Sequence, residues 1–478
     1  MALGRRDFFK LGGSALAASL LPGRLSEASM SATKPNIVFV FTDQQSFRMM
    51  GCAGNEYLET PAMDSIAAEG VRFDRAYCTN PVCVPSRFSL LTGRYPTAIG
   101  QRSNPSRHLP DIPETITDRG LGHLLREGGY ETVYGGKVHL PKGLTPEDLG
   151  FEVIAENQRD ELADVSADYL RREHDRPFAM VASFINPHDI CYMGIRAFPV
   201  NDFSKLLVEK GETEIARLEE ALERPPGVSE EEFWAEYCPP LPPNFEPQEN
   251  EPEAITELVE GRPFRKMLRQ KWSEKDWRLH RWAYCRLTEM VDEQIGRLLD
   301  GLRGGPNAEN TIVIFSSDHG DHDSSHQMEH KSAPYEEAAR IPMLVSAPGG
   351  RRGAVEQRLV SNGLDLLPTL CDYAGVEVPG ELQGLSLRPL VEDREPDYWR
   401  DEVLIESSVG FALRTDRYKY LLCDEGEHRE QLYDLKEDPW ETRNFARDAD
   451  KWEVVSRMRR RLLELRPQLK PVTDAAAE

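Results

Sequence analysis

The stretch "NIVFVFTD" at residues 36–43 is a short apolar run that ends in a carboxylate, and four similar runs follow it along the chain. Segments with helical spacing separate these runs, and this alternation of strands and helices is typical of a parallel sheet. The later runs are "ETVYGGK" (131–137), "PFAMVASFINP" (177–187), "NTIVIFSSDHG" (310–320) and "IPMLVSAPG" (341–349). The sequence therefore predicts an α/β fold with a large mixed, mostly parallel sheet flanked by helices.

The remaining elements divide the chain into two parts. Helices are predicted at 61–69, 115–127, 160–172, about 275–302 and 363–374. After about residue 385 the pattern changes to short strands at hairpin spacing, "EVLIESS", "FALRTDR", "YKYLLCD" and "QLYDL", followed by a helix near 449–465. We expect a main α/β domain at residues 33–384 and a C-terminal subdomain at 385–478, which holds a small antiparallel sheet and a terminal helix.

Length and charge narrow the classes of function. The chain has 478 residues, which is more than one hydrophobic core usually supports. Its 40% hydrophobic and 29% charged residues are typical of a soluble globular protein. The formal net charge of −23 argues against nucleic acid or an anionic membrane as a partner. An anionic substrate would therefore have to be held by a local cluster of cations.

The first 32 residues, "MALGRRDFFKLGGSALAASLLPGRLSEASMSA", have the pattern of an export signal. Arg5 and Arg6 precede a weakly apolar stretch, and small residues follow where a peptidase could cut. The stretch is too short to span a bilayer stably. The paired arginines predict the twin-arginine route and a periplasmic location without stable membrane insertion. The alternative is an ordinary basic amphipathic start.

An irregular insertion is predicted at about 196–260, because "ERPPGVSEEEFWAEYCPPLPPNFEPQENEPE" (223–253) is dense in Pro and Glu. It is either a solvated surface excursion or a rim that shapes a substrate pocket.

The chain has eight cysteines. Export in a folded state implies folding in a reducing cytoplasm, so we expect no disulfide framework.

One cysteine has an unusual setting, in "NPVCVPSRFSLLTGR" at residues 80–94. Pro85 suits the first position of a helix and Gly93 the residue after its end, so a short helix is predicted over 86–92. Cys83 would lie at the N-terminus of this helix, where an anion is favoured. Arg87 adds a fork of donors that suits tetrahedral oxyanions. The bland alternative is a packed cysteine on a helix-capping turn.

Polar residues follow four of the predicted strands. In an open parallel sheet, ligands bind at the carboxyl ends of the strands. The residues found there are Asp43 and Gln44 after the first strand, Lys137 and His139 after the second, Asn186 and His188 after the third, and Asp318 and His319 after the fourth. Any one of them has a structural explanation, but four polar ends in one sheet point to a site.

Four of these residues have the chemistry of a metal site. Asp43, Gln44, Asp318 and His319 offer mostly oxygen ligands, which suit Ca²⁺ or Mg²⁺, while the imidazole favours Mn²⁺ or Zn²⁺ somewhat. The tract "DHGDHDSSHQMEHK" (318–331) adds three histidines and Lys331. A separate zinc site there is one interpretation, but the tract lacks a closed ligand set at regular spacing, and a solvated polar loop is the other.

At this point the motifs resemble a known family, the type I sulfatases, which depend on formylglycine and belong to the alkaline phosphatase superfamily. "CVPSRFSLLTG" is similar to their C-x-P-S-R signature, "GYETVYGGKVH" (129–139) to their second signature, and "SDHGD" and "QLYDLKEDPWETRN" (431–444) also look like theirs. The resemblance covers about 34–465. Departures are Val84, Gly135, Gln44 in place of a second Asp, and His319 in place of Asn.

The resemblance implies a sulfuric ester hydrolase that releases inorganic sulfate, with formylglycine formed from Cys83 and one divalent cation, most of all Ca²⁺, with Mg²⁺ or Mn²⁺ as alternatives. The implied metal ligands are Asp43, Gln44, Cys83, Asp318 and His319. The implied catalytic residues are Cys83, Arg87, Lys137, His139, His188 and Lys331. Arg87, Lys137 and Lys331 would stabilise the sulfate oxygens. His188, with or without Lys331, would protonate the leaving alcohol, and His139 would take a proton from the second hydroxyl at position 83.

The resemblance also implies partners. A formylglycine-generating enzyme or an anaerobic sulfatase-maturating enzyme would convert Cys83, and the substrate would be a sulfated small molecule or glycan. Two alternatives stay open: a phosphonate monoester or phosphodiester hydrolase of the same superfamily, and a non-catalytic protein that binds anions or glycans with Cys83 left as a thiol.

Overall fold

A computed structural model describes residues 34–104 and 112–470. The predicted export signal lies outside these residues. The strands are β1 Asn36–Asp43, β2 Val71–Phe73, β3 Ala76–Tyr77, β4 Glu131–Gly136, β5 Glu152–Ala155, β6 Phe178–Pro187, β7 Thr311–Ser317, β8 Met343–Ser346, β9 Ala354–Glu356, β10 Val360–Ser361, β11 Glu402–Glu406, β12 Gly410–Thr415, β13 Tyr418–Cys423 and β14 Glu430–Asp434. All five predicted strands of the large sheet are present.

Sixteen α-helices are found among the described residues. They are α1 Pro61–Glu69, α2 Cys83–Thr92, α3 Glu114–Thr117, α4 Leu121–Glu127, α5 Asp160–Leu170, α6 Cys191–Ala197, α7 Asp202–Lys210, α8 Glu212–Leu222, α9 Glu230–Glu232, α10 Glu253–Glu260, α11 Pro263–Lys271, α12 Glu274–Arg303, α13 Glu336–Ala339, α14 Asn362–Ala374, α15 Arg388–Val391 and α16 Trp452–Leu465. None of the described helices is long and apolar enough to cross a membrane.

The large sheet has eight strands in the order β5-β4-β6-β1-β7-β8-β2-β9. β1 lies in the middle and pairs in parallel with β6 and β7, so that Ile37 is opposite Ala179 on one side and Ile312 on the other. β8 runs antiparallel to both of its neighbours. The predicted fold class, a mixed and mostly parallel sheet flanked by helices, is confirmed.

Each face of the sheet has its own core, because successive side chains of a strand point to opposite faces. On β1, Phe39 and Phe41 belong to the core that contains residues of α2, α4 and α14. Val38 and Val40 belong to the core that contains residues of α1, α5 and α12. The strand is therefore buried on both faces, and only its carboxyl end is available for a site.

The C-terminal strands form a separate antiparallel sheet in the order β11-β12-β13-β14. Its apolar face packs on α16, where Leu404, Tyr420 and Leu432 share a core with Val455 and Leu462. This is the small antiparallel sheet that the sequence predicts. Residues from Lys34 onward cluster as one compact unit, and the proposed division at 384/385 stays a prediction.

Three local details differ from the sequence predictions. The segment 196–260 is more helical than its composition suggests, because Leu218 and Ala221 of α8 are buried in a core with Leu287 of α12. The predicted helix at 115–127 is two helices, α3 and α4, separated at residues 118–120. The helix after the signature cysteine begins at Cys83 rather than after Pro85. Pro85 is tolerated there, since the first turn's N–H groups have no intrahelical acceptor.

Candidate active site

The polar strand ends meet at one edge of the large sheet. β4, β6, β1 and β7 are consecutive in the sheet, so the residues that follow them are neighbours. The backbone N–H of Asp318 donates to the carbonyl of Thr42 at 3.1 Å, which brings the ends of β7 and β1 together. α2 adds Cys83 to this edge, and the loop after β7 adds Lys331.

Cys83 lies at the centre of the site and is fully buried. Its Sγ is 3.0 Å from Lys331 Nζ, 3.2 Å from His319 Nε2 and 3.7 Å from Asp43 Oδ1. Burial and Asp43 act to raise the pKa of the thiol, but Lys331, His319 and Lys137 hold it well below its ordinary value. The cationic groups around position 83 therefore favour a negatively charged atom there.

Arg87 lies one helical turn after Cys83 and joins the two buried carboxylates. Its Nε donates to Asp318 Oδ2 and its Nη2 to Asp43 Oδ2, each at 2.8 Å. Nη1 donates to the carbonyl of Lys137 and to Ser183 Oγ, also at 2.8 Å. These bonds occupy four of the five N–H groups of a guanidinium. Arg87 therefore mainly holds the two carboxylates in place, and one N–H group is left to donate to a substrate.

Four side chains form a group with metal-binding geometry. Ligand atoms of Asp43, Cys83, Asp318 and His319 all lie within 4.8 Å of one another, and this is the one such group of acidic, His and Cys side chains among the described residues. Burial, followed by repulsion from Asp43, raises the pKa of Asp318 to about 6. A divalent cation would relieve this repulsion, and two carboxylates with an imidazole are suitable donors. The residues therefore fit a divalent cation.

Gln44, the remaining predicted ligand, adjoins this group. Its backbone has a φ of 71°. Its Oε1 accepts a hydrogen bond from Lys331 Nζ at 2.5 Å, and its Nε2 donates to Asp321 Oδ2 at 2.6 Å. The amide oxygen therefore points into the centre of the site, where Lys331 contacts it.

Lys137 and Lys331 surround the same carboxylate. Lys137 Nζ is 2.7 Å from Asp43 Oδ2, and Lys331 Nζ is 3.9 Å from Asp43 Oδ1. Burial acts to raise the pKa of Asp43, but Lys137, then His188, Lys331 and Arg87, hold it well below its usual range. This cluster of cations is the local attraction that an anionic substrate needs in a chain of net charge −23.

The two histidines with predicted proton roles have different surroundings. His188 is partly buried, and its Nδ1 has no hydrogen-bond partner among the described residues. Burial, then Lys137 and Lys331, lower its pKa well below 6.5. His139 is exposed, with a φ of 41°, and none of the described hydrogen bonds joins it to the other site residues. His188 thus lies near the two lysines, whereas the place of His139 in the site stays a prediction.

Two site residues were missed in the sequence. Ser183 in β6 binds Arg87, and nothing in its apolar strand marks it as functional. Asp321 supports Gln44, and burial raises its pKa to about 7; its place in "SDHGD" was a signal that could have identified it. The His-rich tract forms no second metal group among the described residues. Instead, His322 and His326 pack near the ring of Tyr335.

Comparison with known proteins agrees with this geometry. The family profile described as "Sulfatase" matches residues 35–376, and the profile "N-sulphoglucosamine sulphohydrolase, C-terminal" matches residues 324–468. A delta 4,5-hexuronate-2-O-sulfatase of Bacteroides thetaiotaomicron is 31% identical over 464 residues, which cover 90% of this chain and 89% of that protein. The chain therefore belongs to the sulfatase family, within the alkaline phosphatase superfamily, and its reaction class is the hydrolysis of sulfate esters.

Solved structures support the same conclusion. A 2-O GAG sulfatase superposes with a TM-score of 0.76 at 28% identity, covering 91% of this chain and 92% of that one. The phosphonate monoester hydrolase of Agrobacterium radiobacter superposes with a TM-score of 0.67 at 21% identity, covering 91% and 96%, which shows a shared fold alone. Membership of the sulfatase family implies a divalent metal and a formylglycine residue.

Proposed function

We propose that this sulfatase removes sulfate from a sulfated glycan, with residue 83 as formylglycine and Ca²⁺ at the group of Asp43, Gln44, Asp318 and His319. The observation that carries the proposal is the surroundings of Cys83, a buried atom held among Lys331, His319 and Asp43. A structural cysteine needs no such partners. A binding protein would not need a proton donor beside them either.

The groups that this chain would carry supply two kinds of chemistry. The divalent cation would act as a Lewis acid on sulfate oxygen, and the hydrated aldehyde of formylglycine would supply the nucleophilic hydroxyl. The side chains around them bind and orient the ester. Lys137 and Lys331 approach Asp43 from both of its oxygens, so a sulfate group bound beside them lies among fixed positive charges.

Proton transfer to the leaving alcohol falls to His188 or Lys331. The pKa of His188 is held low by burial and by the two lysines. A bound sulfate ester brings negative charge beside these lysines, and so raises the tendency of His188 to hold a proton. Burial lowers the pKa of Lys331, but Cys83 and then Cys191, Asp43 and Asp318 raise it, and the two carboxylates remain when Cys83 is converted. His139 would accept the proton from the second hydroxyl at position 83.

The glycan substrate is supported by the hexuronate sulfatase relative, which matches this chain over nearly its whole length. The paired arginines at 5 and 6 support export by the twin-arginine route to the periplasm, where such glycans are accessible. A formylglycine-generating or anaerobic sulfatase-maturating enzyme would act on Cys83 before the enzyme is active.

The decisive experiment measures the peptide mass around position 83 and sulfate release on the same preparations. We expect the wild type to carry the aldehyde or its hydrate and to release inorganic sulfate from sulfated saccharides. Cys83→Ala should abolish turnover while the fold is retained. Cys371→Ala is the matched control, because Cys371 is also buried but lies in α14 within the hydrophobic core, and no described contact joins it to the site.

An unmodified thiol in an active wild-type enzyme, or near-normal sulfate release by Cys83→Ala, would contradict the proposal. Faster hydrolysis of phosphonate esters than of sulfate esters by the modified enzyme would favour the alternative within the superfamily.

A further inference from the structure

A cavity of about 330 Å³ lies beside the C-terminal sheet, and none of the proposed catalytic or metal-binding residues lines it. Five cationic side chains line it, together with two carboxylates, Glu336 and Asp416. The cations are Arg75, Arg340, Arg414, Arg417 and Lys436. This is a local concentration of positive charge in a chain whose net charge is −23.

Arg414 is the innermost cation. It is 5% exposed, and its Nε donates to Tyr77 Oη at 2.8 Å. Its Nη1 is buried and has no hydrogen-bond partner among the described residues. An unpaired buried donor of a charged group destabilises a protein. Because Arg414 lines the cavity, a turn of its guanidinium would bring this donor to an acceptor bound there.

The nearest carboxylate does not neutralise the cations. Glu336 is shared, since its side chain accepts from Tyr77 at 3.0 Å and from Lys419 at 3.2 Å and lies 4.0 Å from Arg414. Burial acts to raise the pKa of Glu336, but Lys419, Arg414 and Arg340 hold it at about 2. Lys419 also pairs with Glu441 at 2.7 Å, so Glu336 is left to face Arg414 and Arg340.

The outer cations differ in their ion pairs. Arg75 contacts Asp416, whose side chain is 84% exposed. Arg417 is engaged by two carboxylates, each at 2.6 Å. Lys436 is exposed at the edge. Arg340 and Lys436, the other two outer cations of the lining, form no ion pair among the described residues, so the lining favours an anion. The volume of about 330 Å³ is at the lower end of small-ligand pockets.

We propose that this cavity is a second anion site, which binds a sulfate group remote from the one that is cleaved. The sulfate is either free inorganic sulfate or a sulfate ester on a saccharide. Guanidinium groups suit such tetrahedral oxyanions because they donate two parallel hydrogen bonds. Binding here does not depend on the catalytic proposal, because no residue of the site at position 83 takes part.

The first experiment locates the anion. Crystals of the full-length enzyme soaked in selenate, an isostere of sulfate with anomalous scattering, should show a peak in the cavity within hydrogen-bond distance of Arg414. Isothermal titration with inorganic sulfate in 150 mM salt should show a second binding event beside that of the catalytic centre. The absence of a selenate peak in the cavity would overturn the proposal.

The variants separate a binding site from a structural ion cluster. Arg75→Gln with Lys436→Gln should lower affinity at this site by at least about tenfold and leave kcat/KM for a small aryl sulfate within about twofold. Lys205→Gln with Arg171→Gln, which removes an exposed lysine and arginine elsewhere, is the matched control. Arg414→Lys keeps the inner charge but loses the fork, and should also weaken binding. Equal affinities in the cavity double variant and the control would reject the site.

A sulfated disaccharide distinguishes the two sources. If the disaccharide binds the cavity at least tenfold more tightly than inorganic sulfate, the ligand is a glycan chain; equal affinity assigns the site to free sulfate. Binding of neither probe at millimolar concentration would overturn the proposal, whatever the catalytic activity of the enzyme.

Discussion

Lys331 Nζ lies 3.0 Å from Cys83 Sγ, and both side chains are buried. The lysine therefore contacts the atom that the proposed modification replaces, and it also reaches Gln44 at 2.5 Å. A change at position 331 therefore acts directly on the centre of the site.

Lys331→Met should lower kcat/KM for a sulfate ester by about 10²–10³-fold, because a positioned charge next to the reacting group is lost. Lys331→Arg tests which property of the lysine matters. If the charge stabilises the sulfate, the arginine should recover part of the loss; if the residue donates a proton, it should not, since a guanidinium does not deprotonate in proteins. A near-normal rate for Lys331→Met would remove Lys331 from the mechanism.

Asp318→Asn should lose the divalent metal, because one of two buried carboxylates in the ligand group becomes neutral. The measurement is elemental analysis of the purified protein before and after dialysis against a chelator. Asp292→Asn is the control, since Asp292 is also buried but binds the backbone N–H groups of Ala62 and Met63 at 2.9–3.0 Å. A full metal content in Asp318→Asn would contradict the ligand assignment.

His188→Gln should lower the rate about 10²–10⁴-fold on a sugar sulfate and far less on an aryl sulfate, whose leaving group needs little protonation. In the wild type, kcat/KM for the sugar ester should rise as the pH falls below 6.5, because the lowered pKa of His188 leaves it mostly neutral at higher pH. This acid-side increase should disappear in His188→Gln. Equal losses on both esters would indicate that His188 only positions the sulfate.

Replacement of Gly136 tests whether the end of β4 holds Lys137 in position. Its φ is +91°, and a Cβ at this position would lie 2.2 Å from the carbonyl of Ser183. Gly136→Ala should therefore destabilise the fold by about 2–5 kcal/mol, from the strained backbone and the overpacking together, and should lower activity by displacing Lys137. Thermal unfolding and steady-state kinetics measure the two effects.

Gly129→Ala is the matched control for this substitution. Gly129 has a similar φ of +86°, but no atom lies within 4 Å of the position that a Cβ would occupy. It should show only the backbone penalty of about 1–2 kcal/mol and normal activity. If the two variants lose equal stability, the close contact with Ser183 has no energetic consequence.

Much of the large sheet could be predicted because its central strands are continuous apolar runs. Residues 36–43 are predicted and observed as the same strand, and 177–187 differs by one residue. β2, β5 and β9 have only three or four residues, and β9 is partly exposed, so no run or alternation marks them. The break before α4 was also missed, although Gly120 was a signal for it in the sequence.

The location of the site could be predicted from the sequence, but the contacts between its side chains could not. Polar residues after strands mark Asp43, Lys137, His188 and Asp318, and the strand order then brings them together. Their pairing depends on distances between side chains. The use of Arg87 as a bridge between two carboxylates could not be read from its spacing to Cys83, which suggested instead an arginine open to the substrate.

The burial of Cys83 bears on the order in which the chain is modified, folded and exported. Its side chain has no exposed surface in the folded protein, and α2 and the loop that carries Lys331 enclose it. If Cys83 is the modified residue, its modifying enzyme has to enclose the thiol and its neighbours in the chain, whereas a substrate has to bring only a small sulfate group to position 83. We therefore expect modification on a nascent or still extended chain, before α2 packs against the sheet. A chain exported through a route that carries folded proteins would then already contain the modified residue 83 when it leaves the cytoplasm.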